Sequence, residues 1–532
     1  MILNKIKQER IRRSGMREFK SIDEVKNAAL EVVKSATQTH EQQIMNLAGI
    51  AQDSIPFVEG DHTDEFLRLM KLGQMNEMGT GHAPFVARYI LPDYAKFMKN
   101  GSEFLRLDPP KTLYEAVYSL EIMYQNVPSV THFPVYLGNF GELFEPFCDG
   151  MSDEEIRSIM KGFLITLDRT LGDSFVHANL GPERTRVGEI ILDLVAELQN
   201  AIPNMTLLYD PDITPDDFAS KAISTSLVSA NPAFALDPAY KKAFGDIPYG
   251  IASCYNGLPI GGGAYLLHRL NLGPVAVQSK DTDDFFNNTL PHAVRTMCGF
   301  MEDCIRFLVE ESAFFRSCFL VKEGLIDPDR FIGLFGMVGL SEAVDQLMLF
   351  EGSGDKFGET DAANEMGVRV MDRLQELVNE HTSAYSKAFD HKLMLHAQVG
   401  LGEVGVTPGV RIPIGREIPL YDHLRQAGLF HPYFQTGVGD IFPFEVTAKK
   451  NPEAVLDIFK GAFKVGMRYI STYAEDSDLI RVTGYLVKKS EVFALHDEGK
   501  VAINDMSSVA YNTIQMHHTL DRKVRSIDGS AG

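Results

Sequence analysis

The sequence predicts an α/β protein with mainly parallel strand pairing. Short apolar runs such as NMTLLYD (204–210) and FIGLFGMV (331–338) alternate with stretches whose apolar residues recur at helical spacing. Gly, Pro and Asn punctuate these runs. No internal repeat, low-complexity tract or long Gly/Ser linker divides the 532 residues, which favours one compact unit.

Taken in order, the first third is mostly helical, with apolar positions at helical spacing through 22–50 and 113–124. Ser152 opens SDEEIRSIMKGFLITL with Glu155 three residues on, a capping box. VGEIILDLVAELQ (187–199) is the next helix. The strand NMTLLYD leads into Thr214-Pro215-Asp216-Asp217, where Thr214 is expected as N-cap and Pro215 as first helical residue. SANPAFALD supplies turn chemistry and a short apolar run, and the Gly-rich YGIASCYNGLPIGGGAYLLHRLNLG follows. A long helical stretch is expected over 282–322, broken or kinked at Pro291. FIGLFGMVGLSEAV reads as strand, loop and helix, and 361–390 as helix. Residues 400–447 are rich in Gly and Pro and read as long loops with short strands. NPEAVLDIFKGAFKVG (451–466) is helical and MRYISTY extended.

Composition narrows the function. The apolar share is 45% and the charged share 23%, ordinary for a globular protein. A net charge of −21 argues against binding a phosphate backbone, though not against a local cationic pocket. The basic N-terminal stretch MILNKIKQERIRR lacks a signal peptide's apolar core and reads as an exposed helix or tail. No apolar run reaches the ~18–20 residues a membrane helix needs. A cytoplasmic protein is expected. The five cysteines, Cys148, Cys254, Cys298, Cys304 and Cys318, show no C-x-x-C spacing. They read as reduced thiols rather than as a disulfide framework or zinc site. The fifteen histidines form no H-E-x-x-H, and no G-x-S-x-G occurs.

Cys298, Cys304 and Cys318 sit in apolar helical sequence and read as small buried hydrophobes. Cys148, just before a helix cap, reads as a surface or half-buried thiol. Cys254 differs. It lies at a strand-to-loop transition among small residues, where backbone or ligand can approach closely. That suits a catalytic thiol. The following IGGGAYLLHRL lacks the ending and the strand–helix context of a phosphate loop. Near the C-terminus, RVTGYLV (481–487) sets Gly484 between two apolar runs, either as a turn glycine or as the reactive residue itself.

RVTGYLV resembles the C-terminal signature of the glycyl radical enzymes, whose core is Arg-Val-x-Gly-Tyr. PNMTLLYD (203–210) and GLFGMVGLSEAV (333–344) are similar to segments of that family, especially of anaerobic ribonucleotide reductase. The chain as a whole resembles the YjjI-type branch. The resemblance implies a ten-stranded α/β barrel surrounded by helices, with the Cys254 and Gly484 loops meeting at its centre. It implies a helical part over 1–125, a barrel core over 126–440 and a C-terminal radical region over 441–532. It implies that Gly484 carries an organic radical, that Cys254 becomes a thiyl, and that the activated enzyme is anaerobic and oxygen-sensitive. No metal or cofactor is expected on the chain itself. A separate radical S-adenosylmethionine activase carrying a [4Fe-4S] cluster is the implied partner, with a small-molecule substrate and a homodimeric assembly.

Departures from the family pattern narrow the reaction. The eliminating members carry Glu two residues after the cysteine. Here Asn256 stands there, and its amide does not titrate. Pyruvate formate-lyase uses two adjacent cysteines, whereas Ser253 precedes Cys254. No cysteine follows Cys318, so the four-cysteine site of anaerobic ribonucleotide reductase is absent. Candidate substrate-binding groups are His132, Asn139, His177, Asn179, Asn256 and His268, with Arg411 and Arg416 as a clamp for carboxylate or phosphate. Two other readings stay open: a barrel retained as a binding or scaffold protein, and an oxygen-tolerant enzyme using Cys254 as an ordinary nucleophile.

Overall fold

Every residue of the run Phe331–Val338 is buried, as expected of a strand covered on both faces. It belongs to a computed structural model that describes residues 21–78, 84–397 and 405–528. The basic N-terminal stretch lies outside the described residues. In chain order the strands are β1 (Met75–Glu77), β2 (Tyr89–Leu91), β3 (His177–Leu180), β4 (Asn204–Tyr209), β5 (Ala233–Leu236), β6 (Tyr249–Ala252) and β7 (Asn256–Pro259). They continue with β8 (Gly262–Asn271), β9 (Phe331–Val338), β10 (Met394–Ala397), β11 (Asp440–Phe444), β12 (Tyr469–Ala474), β13 (Leu479–Arg481) and β14 (Leu486–Lys488).

Ten of these form two sheets of five. In the first, β8, β9 and β10 run parallel, while β1 and β2 pair antiparallel with opposite ends of β8. In the second, β3, β4 and β5 run parallel, β12 joins β5 antiparallel, and β11 runs parallel to β12. Five of these eight ladders are parallel, so the expected mainly parallel pairing holds, with β1 and β2 on β8 and β12 on β5 as the antiparallel exceptions. Among the described residues no ladder links one sheet to the other. Two hairpins stand outside the sheets, β6–β7 and β13–β14. Cys254 lies at the turn of the first, and Gly484 lies between the strands of the second.

Most helices follow the sequence, including the capping box of Asp153–Thr170 on Ser152 and Glu155. Three expectations change. The helix after β4 starts at Asp216, with Pro215 as its N-cap; Thr214 instead donates to the Pro182 carbonyl and accepts from the Asp210 amide. The stretch after residue 282 does not break at Pro291. It relaxes through a π-turn at Phe285–Thr289, which removes the demand Pro places on the preceding turn, and it ends after a second π-turn at Phe307–Glu311. The 400–447 region contains a full helix, Leu420–Phe430, besides β11. Cys148 is buried, at 4% exposure, rather than at the surface.

Candidate active site

The turn Ser253-Cys254-Tyr255 joins β6 to β7, whose register pairs Ala252 with Asn256. Ser253 adopts a left-handed φ of 59°. That strain for a non-glycine residue persists because surrounding groups hold the turn. The Ser253 amide donates to the Val135 carbonyl at 2.9 Å, and its own carbonyl meets His177 Nδ1 at 2.8 Å. The Tyr469 hydroxyl donates to the Cys254 carbonyl at 2.9 Å. The Tyr255 hydroxyl donates to the Ala397 carbonyl at 2.7 Å. Strands β3, β10 and β12 thus each grip one residue of the turn. One strand back, Asn179 acts as a surrogate strand neighbour: its amide accepts from the Ile251 N–H and donates to the Ile251 carbonyl.

Gly484 faces this turn directly. A Cβ placed on it would lie 2.4 Å from Cys254 Cβ and 3.1 Å from Cys254 Sγ. No flexible side-chain end is available to yield there. Gly484 is not among the positive-φ glycines, so backbone conformation does not demand glycine. Close approach does. The hairpin reading of RVTGY is right about the fold, but it does not account for the residue type.

Four consecutive carbonyls of the Gly484 loop are taken by side-chain donors. Arg522 serves Arg481 and Val482, Arg411 Nη2 serves Thr483 at 3.2 Å, and Asn204 Nδ2 serves Gly484 at 3.0 Å. A buried loop must pair its backbone, and here side-chain donors supplement the short β13–β14 ladder. Arg481, 1% exposed, donates to the Ala230 carbonyl and to Asn204 Oδ1. Replacing Asn204 by Leu would leave the Gly484 carbonyl with only the longer bond from Arg481 Nη1 at 3.5 Å and would orphan another arm of that guanidinium. We expect Asn204→Leu to lose about 2–3 kcal/mol in urea unfolding, because the bond to a buried charged partner goes unmade. Unchanged stability would show that the network contributes nothing.

Of the residues singled out in the sequence, Cys254, Gly484, His177, Asn179, Asn256 and Arg411 come together. His177 is buried between Ser253 and Thr206, and burial pushes its pKa down to about 3, so it is neutral and supports the turn. Arg411 Nε also donates to the Gly439 carbonyl at 2.7 Å, so the guanidinium is bound to backbone. The others go elsewhere. His132 is exposed. Asn139 caps the helix Phe140–Phe144 and donates to the Gly181 carbonyl. His268 points from β8 onto the rings of Phe66 and Phe300. Arg416 pairs with Asp345 and Glu359. Arg481, Asn204, Tyr469 and Arg522 were missed. Arg481 and Asn204 are signalled only as polar residues inside apolar runs, as in LIRV, whereas Arg522 stands in a charged stretch, and its carbonyl partners lie about 40 residues away. On its other side the Gly484 loop borders a cavity of ≈ 190 Å³ at Val482 and Thr483, lined also by Arg411, His517 and Arg522.

Among the five cysteines only Cys254 is half-buried rather than buried. Ser253, Asn256 and Gly484 around it are buried. Burial pushes its thiol up to about 11, outweighing the nearby amides and Arg411. At neutral pH it therefore holds its hydrogen. Because this pKa lies about 2 units above the ordinary thiol value, alkylation at pH 8 should run roughly 10²-fold slower than for an unperturbed thiol. The rate should climb until pH nears 11. Iodoacetamide kinetics followed by peptide mass spectrometry check this, and fast labelling at pH 7 would contradict it.

The family model described as glycyl radical enzyme YjjI-like matches residues 38–525. An uncharacterised protein of Haemophilus influenzae is 41% identical over 502 residues, covering 93% of this chain and 97% of its own. The protein YjjI of Escherichia coli is 41% identical over 88% of this chain and 90% of its own. In fold, the anaerobic ribonucleotide reductase of Thermotoga maritima, solved with glycerol in the active site, superposes with a TM-score of 0.72 at 14% identity, covering 92% of this chain and 95% of that one.

Proposed function

The chain belongs to the YjjI-like family of glycyl radical enzymes, and from that membership we propose that Gly484 stores the radical and Cys254 delivers it to substrate. The observation that carries this reading is the contact itself: a glycine whose absent side chain is the space Cys254 occupies. A radical at a glycine Cα spreads into the two flanking amides when the centre is near planar, and a Cβ would crowd that plane. The step is a hydrogen-atom exchange. The Gly484 Cα radical takes the hydrogen of the Cys254 S–H, leaving Gly484 closed-shell and the sulfur a thiyl. The thiyl then takes a hydrogen from a substrate C–H, regenerating S–H and leaving a substrate radical. Close, fixed placement of the reacting atoms and exclusion of water favour both transfers.

A thiol held in its S–H form is what hydrogen transfer needs, whereas a nucleophile would need the thiolate. This favours the radical reading over an ordinary thiol enzyme. We take the two five-stranded sheets as halves of one barrel around the paired loops. The radical is installed by a separate radical S-adenosylmethionine enzyme, and that partner must reach a glycine that is buried in the resting fold. Anaerobic activation followed by EPR tests the proposal: an organic radical doublet is the expected result. A chain that stays EPR-silent with a verified cognate activase would overturn it.

A further inference from the structure

Asn256 opens β7 at the foot of the turn that carries Cys254. It is 1% exposed, and neither its Oδ1 nor its Nδ2 has a hydrogen-bond partner. The other asparagines buried near the two loops behave differently. Asn139, Asn179, Asn204 and Asn231 each engage both ends of the amide. Burying an amide with nothing to bond is unfavourable, and an apolar residue of the same shape would avoid that penalty. Asn76 and Asn271, in the sheet built on β8, each leave only Oδ1 open, whereas Asn256 leaves both ends of its amide open two residues from the thiol, held for something that arrives.

We propose that Asn256 reads the substrate beside Cys254, and that it reads an uncharged group able to donate and accept at once, a hydroxyl or a carboxamide adjoining the C–H that is attacked. A carboxamide offers two donors at Nδ2 and an acceptor at Oδ1. A carboxylate would satisfy only Nδ2 and set an anion against Oδ1; an ammonium would satisfy only Oδ1. Rotating the amide exchanges the ends without removing the mismatch. A neutral donor–acceptor group alone serves both. The inference rests on Cys254 as the hydrogen-abstracting residue.

The test uses full-length protein without activation, so it succeeds or fails separately from the EPR experiment. Asn256→Leu keeps the branched shape of the side chain, at a somewhat larger volume, and removes the unpaired polar atoms. It should melt roughly 1–3 °C higher than wild type in the absence of ligand. Asn256→Ala, which needs no repacking space, serves the binding arm. Propane-1,2-diol, propanamide and propanoate, equal in carbon number, are compared by thermal shift at high millimolar concentration. Wild type should be stabilised by the diol or the amide and not by propanoate, and Asn256→Ala should lose the shift. A stabilising diol with an inert amide identifies the hydroxyl, and the converse identifies the carboxamide. A lower melting temperature for Asn256→Leu, equal shifts in wild type and Asn256→Ala, no shift in wild type, or propanoate matching the neutral probes would each overturn the proposal.

Discussion

Once activated without oxygen and then opened to air, the wild-type chain should break at Gly484, giving on denaturation a large piece that ends at Thr483. Gly484→Ala should stay whole and give no doublet. The expected contrast is complete, because two independent effects act on one atom. A methyl on the Cα would sit 2.4 Å from Cys254 Cβ, far inside contact distance. The Cys254 turn cannot retreat cheaply, since Ser253, Cys254 and Tyr255 are each tied to a different strand. Such overpacking costs about 1–3 kcal/mol of stability in a well-packed interior. The same methyl would crowd the planar centre that delocalisation requires. Denaturing gels with intact-mass spectrometry read the break, and EPR reads the radical. Cleavage at a different residue, or equal cleavage of the alanine variant, would remove Gly484 from the chemistry.

Cys254→Ala should separate storage of the radical from its use. The variant keeps the glycine and relieves rather than adds crowding, so the doublet should persist. Turnover should fall by at least about 10³-fold, since no other cysteine approaches Gly484 and the barrier rises by roughly 4 kcal/mol or more. A substrate-free readout exists. The doublet arises from the one hydrogen left on the radical carbon. In D₂O the thiol becomes S–D, and reversible exchange with Gly484 would carry deuterium onto that carbon and collapse the doublet in wild type. In Cys254→Ala the doublet should survive in D₂O. Collapse in the variant would mean that another group exchanges with Gly484.

The juxtaposition of Gly484 and Cys254 was legible because each is marked locally. RVTGY is a short contiguous signature, and Cys254 stands apart from the other thiols through its small, Gly-flanked neighbours. The strand–helix alternation was equally visible, since period and punctuation act within a few residues. What failed was the assignment of polar residues to faces. His268 lies in a strand whose residues are all buried, so polarity against an apolar background could not say whether it met the site or the helices. Arg416 and Arg411 sit five positions apart, yet one is spent on surface carboxylates and the other on the carbonyls of Gly439 and Thr483. Asn204 and Gly484 are 280 positions apart, and nothing near either one announces the bond between them. The helix Leu420–Phe430 was masked by Gly and Pro on both sides, whose turn signals outweighed eleven residues of helical pattern between them.

Arg522 belongs to the segment after Gly484, but both carbonyls it holds, on Arg481 and Val482, come before it. Strands β13 and β14 are likewise paired across the same point. A molecule severed there would remain stapled together, its two pieces travelling as one particle. Injury by air would then leave no trace in size-exclusion or light-scattering profiles. The quality of a preparation would be visible only after denaturation, and specific activity would report how each sample had been handled as much as what it catalyses.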